Sequence, residues 1–224
     1  MTSKRSPWSM REPGIFTHVR RLHRQAAMPA SPARRAALAG LAAGATTLLA
    51  PGMVHAAPGA MSVPQVVAHA IPGARLSGSG LFRWWGFAVY TAALWVGPGG
   101  IDPARLTATP FALELRYARN LKGRAIADQS EVEMRKLEQG TATERAQWLA
   151  QMRAIFPDVG DGDWLCGLFE PKTPDGPRTT FWFNGKPIGM VGGEAFAQAF
   201  FSIWLSPKTA APDLRRALLA QAAS

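Results

Sequence analysis

Apolar and polar residues change their spacing along this chain so as to mark strands, then helices, then strands, then helices. Arg75 to Val96, RLSGSGLFRWWGFAVYTAALWV, is dense in aromatic and β-branched residues, the composition of a strand. Alternation places Phe82, Trp84, Ala88 and Tyr90 on one face and Leu81, Arg83, Trp85, Phe87 and Val89 on the other. Both faces carry large apolar groups, which predicts cover on both sides. Gly86 marks a bend or bulge between two segments. Gly97-Pro98-Gly99-Gly100 is a turn. Phe111 to Tyr117 alternates, with Phe111, Leu113, Leu115 and Tyr117 inward and Glu114 and Arg116 outward. That is a half-buried strand of an antiparallel sheet. Ahead of these, residues 57–72 read as a Pro/Gly/Ala tether with a short strand at Gln65 to Ala70.

The spacing then lengthens. Gly123 to Glu138 reads as a polar-rich helix with Ile126, Val132 (or Met134) and Leu137 as its stripe. Thr141 and Glu144 form a capping box opening a helix. Trp148, Met152 and Ile155 share one face of it, and Pro157 ends it. Trp164 to Phe169 and Thr179 to Phe183 are strands. Asn184-Gly185 is the strongest short hairpin signal, and Lys186 to Val191 is the returning partner. Glu194 to Leu205 is a helix with Phe196, Phe200 and Ile203 on one face, stopped by Ser206-Pro207. A shorter helix starts near Pro212, with Asp213 in its first turn. Segregated runs of this kind predict an α+β fold, an antiparallel sheet with helices packed on one face.

Charge alters the picture only at the N-terminus. The formal net charge is +10, but residues 1–56 hold eight Lys or Arg and one acid, Glu12. Residues 57–224 keep 17 basic and 14 acidic groups, a net of +3, so nucleic acid is dropped as a partner. Arg34-Arg35 precedes nineteen uncharged residues, Ala36 to Val54, and the stretch ends Val54-His55-Ala56. That is the order of an export signal, with cleavage expected after Ala56 and a periplasmic product. The twin arginines and weakly apolar run resemble a Tat signal. The missing Phe-Leu-Lys leaves a Sec signal open, and an uncleaved anchor is the other reading. Membrane contact is expected only through this leader, if it is uncleaved. Residues 1–27 are either a long n-region or precede a start at Met28.

Residues 57–224 hold one cysteine, Cys166, and one histidine, His69. No intramolecular disulfide and no His/Cys zinc site can be built from them. No dinucleotide, P-loop or nucleophile-elbow motif is present. Asp158-Val-Gly-Asp-Gly-Asp163 suggests calcium, but an EF-hand loop started at Asp158 would need Glu where Phe169 stands. A plain turn is expected, with no metal and no cofactor.

Three stretches carry a family likeness: GSGLFRWWGFAVYTAALWV, ALELRYARNLKGRAIADQS and WFNGKPIGMVGGEAFAQAFFSIWLSPKTAAPDLRRALL. They resemble the bacterial chalcone isomerase-like proteins over roughly residues 75–219. The resemblance implies a curved antiparallel sheet with a helix layer on one face, here over residues 73–224. Plant chalcone isomerases use an Arg, a Thr, a Tyr, an Asn and a Ser or Thr. By counting from Val89-Tyr90, the Thr position falls on Trp85 and the Arg position near Gly73, with Arg75 as substitute. The Tyr and Asn positions fall near Ile126 and Glu133, and Ser202 fits the last. With those groups replaced, no catalytic residue is assigned.

The resemblance therefore implies a cleft between sheet and helices, lined by Trp84 or Trp85, Phe87, Tyr90, Phe196 and Phe200. An apolar or fatty-acid-like carboxylate is the expected ligand. Arg75, Tyr90, Arg116, Tyr117 and Ser202 are the candidate binding residues, because an Arg-Tyr pair suits a carboxylate. An intramolecular lyase acting on an unsaturated carbonyl compound is the catalytic alternative. A structural partner of an exported complex is the third.

Overall fold

The computed structural model describes residues 61–222. The export signal, its arginines and cleavage point, and the choice of start lie outside them. Six strands form one sheet in sequence order: β1 Arg75–Trp84, β2 Phe87–Val96, β3 Phe111–Tyr117, β4 Trp164–Glu170, β5 Arg178–Phe183 and β6 Lys186–Gly192. Every neighbouring pair is antiparallel. Five helices accompany the curved sheet: α1 Gln65–Ala70, α2 Gly123–Lys136, α3 Ala142–Ile155, α4 Glu194–Leu205 and α5 Pro212–Leu218. The expected α+β order is the observed one. Among the described residues, no helix is long and apolar enough to cross a membrane.

Cross-strand register sorts the side chains into two faces. One helix-facing row runs Val96, Phe111, Phe169, Thr179 and Val191, and the next runs Leu94, Leu113, Gly167 and Phe181. Helix α4 is laid over these rows. Its Phe196, Phe200 and Phe201 pack edge to face or stacked among Phe111, Phe156 and Phe181 at centroid distances of 4.6–6.3 Å. Phe196 and Phe201 are fully buried, each worth about 1.5–3 kcal/mol relative to an exposed ring. Helix α5 covers β1 so closely that a Cβ on Gly78 would lie 1.9 Å from the Ala217 carbonyl oxygen. Only glycine permits that approach.

The capping box is formed: the Glu144 N–H donates to Thr141 Oγ1 at 3.2 Å and the Thr141 N–H donates to Glu144 at 2.7 Å. Asp158 and Asp163 of the acidic turn are bound by side chains and backbone of the chain itself. Asp158 accepts from the Gly123 N–H and Lys122, and Asp163 from Asn184 and the Gly160 N–H. These bonds, led by the Lys122 and Asn184 side chains, hold both carboxyls below their usual range.

Four expectations are corrected. Residues 65–70 form helix α1, not a strand. The N–H groups of Val67 and Ala68 both donate to the Pro64 carbonyl at 2.9 Å, which starts a turn, and Val67 is buried. The β signal from Arg75 to Val96 is a full hairpin rather than one bent strand. Trp85 and Gly86 have φ of 50° and 81°, as a two-residue primed turn requires. Cover on both faces holds for Ala92 to Val96, all buried, but fails at the hairpin end, where Leu81, Trp85 and Phe87 are exposed. Glu114 does face away from the helices, yet it is buried. Trp95 Nε1 donates to Glu114 Oε2 at 3.2 Å and the Arg116 guanidinium to Oε1 at 2.8 Å. Cys166 lies beside Glu114 in the register. Burial, reinforced by that carboxylate, pushes its thiol well above the usual range, so it is kept unreactive.

Candidate ligand-binding site

A cavity of about 100 Å³ lies between the helix-facing side of β1–β5 and helices α2 and α4. Its floor is Leu113, Leu115, Leu165 and Phe181; its roof is Ile126 from α2 with Phe200, Ile203 and Trp204 from α4. Phe82, Val89 and Tyr90 close the hairpin side. The polar contribution comes from Tyr90, Tyr117, Gln129, Ser130 and Glu133.

The alternation of β2 and β3 positions the two tyrosines. They are register partners, and their rings meet edge to face at 6.0 Å. Tyr90 also stacks on Phe82 at 5.0 Å, and its hydroxyl accepts from Trp204 Nε1 at 3.0 Å. The Tyr90 proton is thus not used in that bond. Tyr117 is 3% exposed, and its hydroxyl makes no hydrogen bond among the described residues. Burial raises both phenol pKa values far above the ordinary value; at Tyr90 the Trp204 hydrogen bond partly opposes this and the Glu133 charge adds to it, and at Tyr117 the neighbouring Tyr90 adds to it. Both groups are therefore neutral donors at any physiological pH.

The α2 groups are mostly engaged. Ser130 Oγ donates to the Ile126 carbonyl at 2.9 Å. Glu133 is buried and accepts from Gln129 Nε2 at 2.8 Å and Lys136 Nζ at 2.9 Å, both on Oε1. No arginine, lysine or histidine lines the cavity among the described residues.

Of the five residues singled out in the sequence, the structure brings Tyr90 and Tyr117 together in the cavity lining. Arg75 instead donates to the Gln221 carbonyl at 2.8 Å, at the end of the helix layer. Arg116 is on the opposite sheet face, bound to Glu114. Ser202 is buried on α4 and accepts from Gln198 Nε2 at 3.3 Å, outside the lining. Trp85 and Phe87 are at the exposed hairpin end, and Phe196 is packed in the core. Ile126 and Glu133, the positions reached by counting from Val89-Tyr90, both line the cavity. Trp204 carries no sequence signal of a polar partner. Its three-to-four spacing from Phe200 marks it only as apolar.

The architecture is a single antiparallel sheet roofed by helices on one face, with an apolar cavity between the layers. A family model described as chalcone isomerase-like matches residues 61–220, and the chain belongs to the chalcone isomerase-like family. Among solved structures, a fatty-acid binding protein of Arabidopsis thaliana is similar at 12% identity, over 69% of this chain and 92% of that one, with a TM-score of 0.49. That likeness is too slight to carry a function across. A search of curated proteins gives no match.

Proposed function

We propose that this is an exported, non-catalytic binding protein that encloses an apolar small molecule carrying one neutral hydrogen-bond acceptor, such as a carbonyl or a protonated carboxyl group. The leader supports export to the periplasm by the order of its basic, apolar and small-residue regions. The observation that carries the binding reading is an apolar cavity with two tyrosines in its lining, Tyr90 and Tyr117, the Tyr117 hydroxyl making no hydrogen bond among the described residues. A ligand acceptor that reaches the Tyr117 hydroxyl gains one hydrogen bond, worth about 1 kcal/mol.

Size and charge narrow the ligand. A cavity of about 150 Å³ admits benzene, so about 100 Å³ holds a short chain or part of a ring. A long acyl chain requires Ile203 or Trp204 to swing outward. An ionised carboxylate would face Glu133 with no cation in the lining, so a fatty acid binds here in its protonated form. The same lack of a cation weighs against the lyase reading, because an attacking phenolate would meet only neutral phenol donors and the Glu133 carboxylate.

Calorimetric titration with a medium-chain fatty acid and the matching methyl ketone across pH tests this. Affinity for the acid should fall about tenfold per pH unit above its own pKa, while the ketone stays constant. Tighter binding of the ionised acid, or no binding of either, would refute it.

A further inference from the structure

The β1–β2 hairpin ends in a side chain that turn chemistry does not explain, its ring meeting that of Trp84 edge to face at 6.5 Å. Trp85 holds φ 50° and is 78% exposed. The β5–β6 hairpin uses the same kind of turn with Asn184 at φ 48°. Asn tolerates that backbone, and its side chain bonds the Trp164 N–H and Asp163. A tryptophan there costs about 1–2 kcal/mol, and Trp85 gains little burial in return. Strain retained for one edge contact and little burial points to use.

The neighbours share the exposure. Phe87 is 53% and Leu81 43% exposed. With Trp85 they are three of the four large exposed hydrophobics among the described residues, the fourth being Met190 on β6. The charges on this hairpin itself have one sign. No acid occurs from Ile71 to Ile101. Arg83 is exposed and donates to the Gly86 carbonyl at 3.1 Å, and the Arg119 guanidinium lies 5.6 Å from the Phe87 ring centre. Asp161 and Asp163 occupy the loop beside Tyr117, but Asp163 is held by Asn184 and the Gly160 N–H.

We infer that the Leu81–Phe87 hairpin end docks on an anionic lipid surface, with Trp85, Phe87 and Leu81 at headgroup depth and Arg83 and Arg119 against lipid phosphates. Tryptophan beside arginine is the pairing that a membrane interface favours, since one part seeks apolar cover and the other stays wet. A stable protein interface takes about 20–30 residues a side, far more than this hairpin end offers. Membrane contact is thus not confined to the leader. The stem of the same hairpin supplies Phe82, Val89 and Tyr90 to the cavity, which sets that cavity near a source of apolar molecules.

The test uses the full chain with Phe87→Cys carrying an environment-sensitive fluorophore; Cys166 is buried and does not compete. Met190→Cys, on the far edge strand, is the control position. Vesicles of equal parts phosphatidylglycerol and phosphatidylcholine, with brominated acyl chains, should quench the label at residue 87 and not at 190. Vesicles of phosphatidylcholine alone should quench it weakly. Arg83→Gln and Arg119→Gln should each lower the partitioning read at residue 87 about fivefold, and Trp85→Ser should lower it further. Vesicle binding without quenching at 87 would assign attachment to another part of the chain and overturn the inference. So would the absence of binding. A blue shift at 87 that grows with protein concentration without lipid would assign the hairpin end to a second copy, and would overturn it equally.

Discussion

Trp204 donates its indole N–H to the Tyr90 hydroxyl at 3.0 Å, joining α4 to β2 across 114 residues of sequence. The bond ties the helix to the sheet beside the cavity and leaves the Tyr90 O–H free to donate. Trp204→Phe removes the donor while keeping a ring against Phe200. The expected cost is about 1 kcal/mol, read as a lower urea midpoint at unchanged slope.

Tyr117 makes the complementary case. Its hydroxyl lines the cavity and makes no hydrogen bond among the described residues, so Tyr117→Phe should leave stability nearly unchanged. Affinity for a ketone ligand should fall about fivefold, the equivalent of one hydrogen bond of about 1 kcal/mol. Affinity for the hydrocarbon of the same length should not change. Calorimetry on both ligands separates the two terms.

The chain has only two tyrosines, and both line the cavity, so its phenolate absorbance reports this site alone. Burial raises both folded pKa values above the unfolded value of about 10. The folded state therefore holds these protons longer than the unfolded one. Their contribution is fully present below about pH 10 and is lost as the pH rises beyond it. Phenolate absorbance should appear together with the loss of near-ultraviolet dichroism, as one transition. Ionisation in the folded protein near the ordinary value would contradict the burial described.

Trp85→Asn should stabilise the isolated chain by about 1 kcal/mol, because asparagine accepts the left-handed turn conformation at lower cost. Thermal melting in buffer without lipid reads this. A lower melting temperature would mean that Trp85 has a packing role.

Much of the fold is legible in the sequence because its signals are local. The β5–β6 hairpin follows from Asn184-Gly185, α3 from Thr141 and Glu144, and α4 from its phenylalanine spacing. The first hairpin is harder to read, because a tryptophan occupies the position that normally announces a turn. Helix α1 is missed because Val66 and Val67 resemble a strand until Pro64 is seen to accept two N–H groups. The site divides in the same way. Tyr90 and Tyr117 follow from alternation and the family likeness. Arg75 and Arg116 look available in the sequence, yet their partners, the Gln221 carbonyl and Glu114, are set by the sheet face and the helix layer. The lining role of Glu133 depends on how α2 is rotated against the sheet, which its own spacing does not reveal.

Native mass spectrometry of the protein purified from bacteria tests the enclosed-ligand account most directly, with Ile203→Trp as the filled-cavity variant. The account predicts an added small-molecule mass on the native protein that organic extraction removes and that the variant lacks. A clean unliganded mass for the native protein, or an identical adduct on the variant, would contradict it.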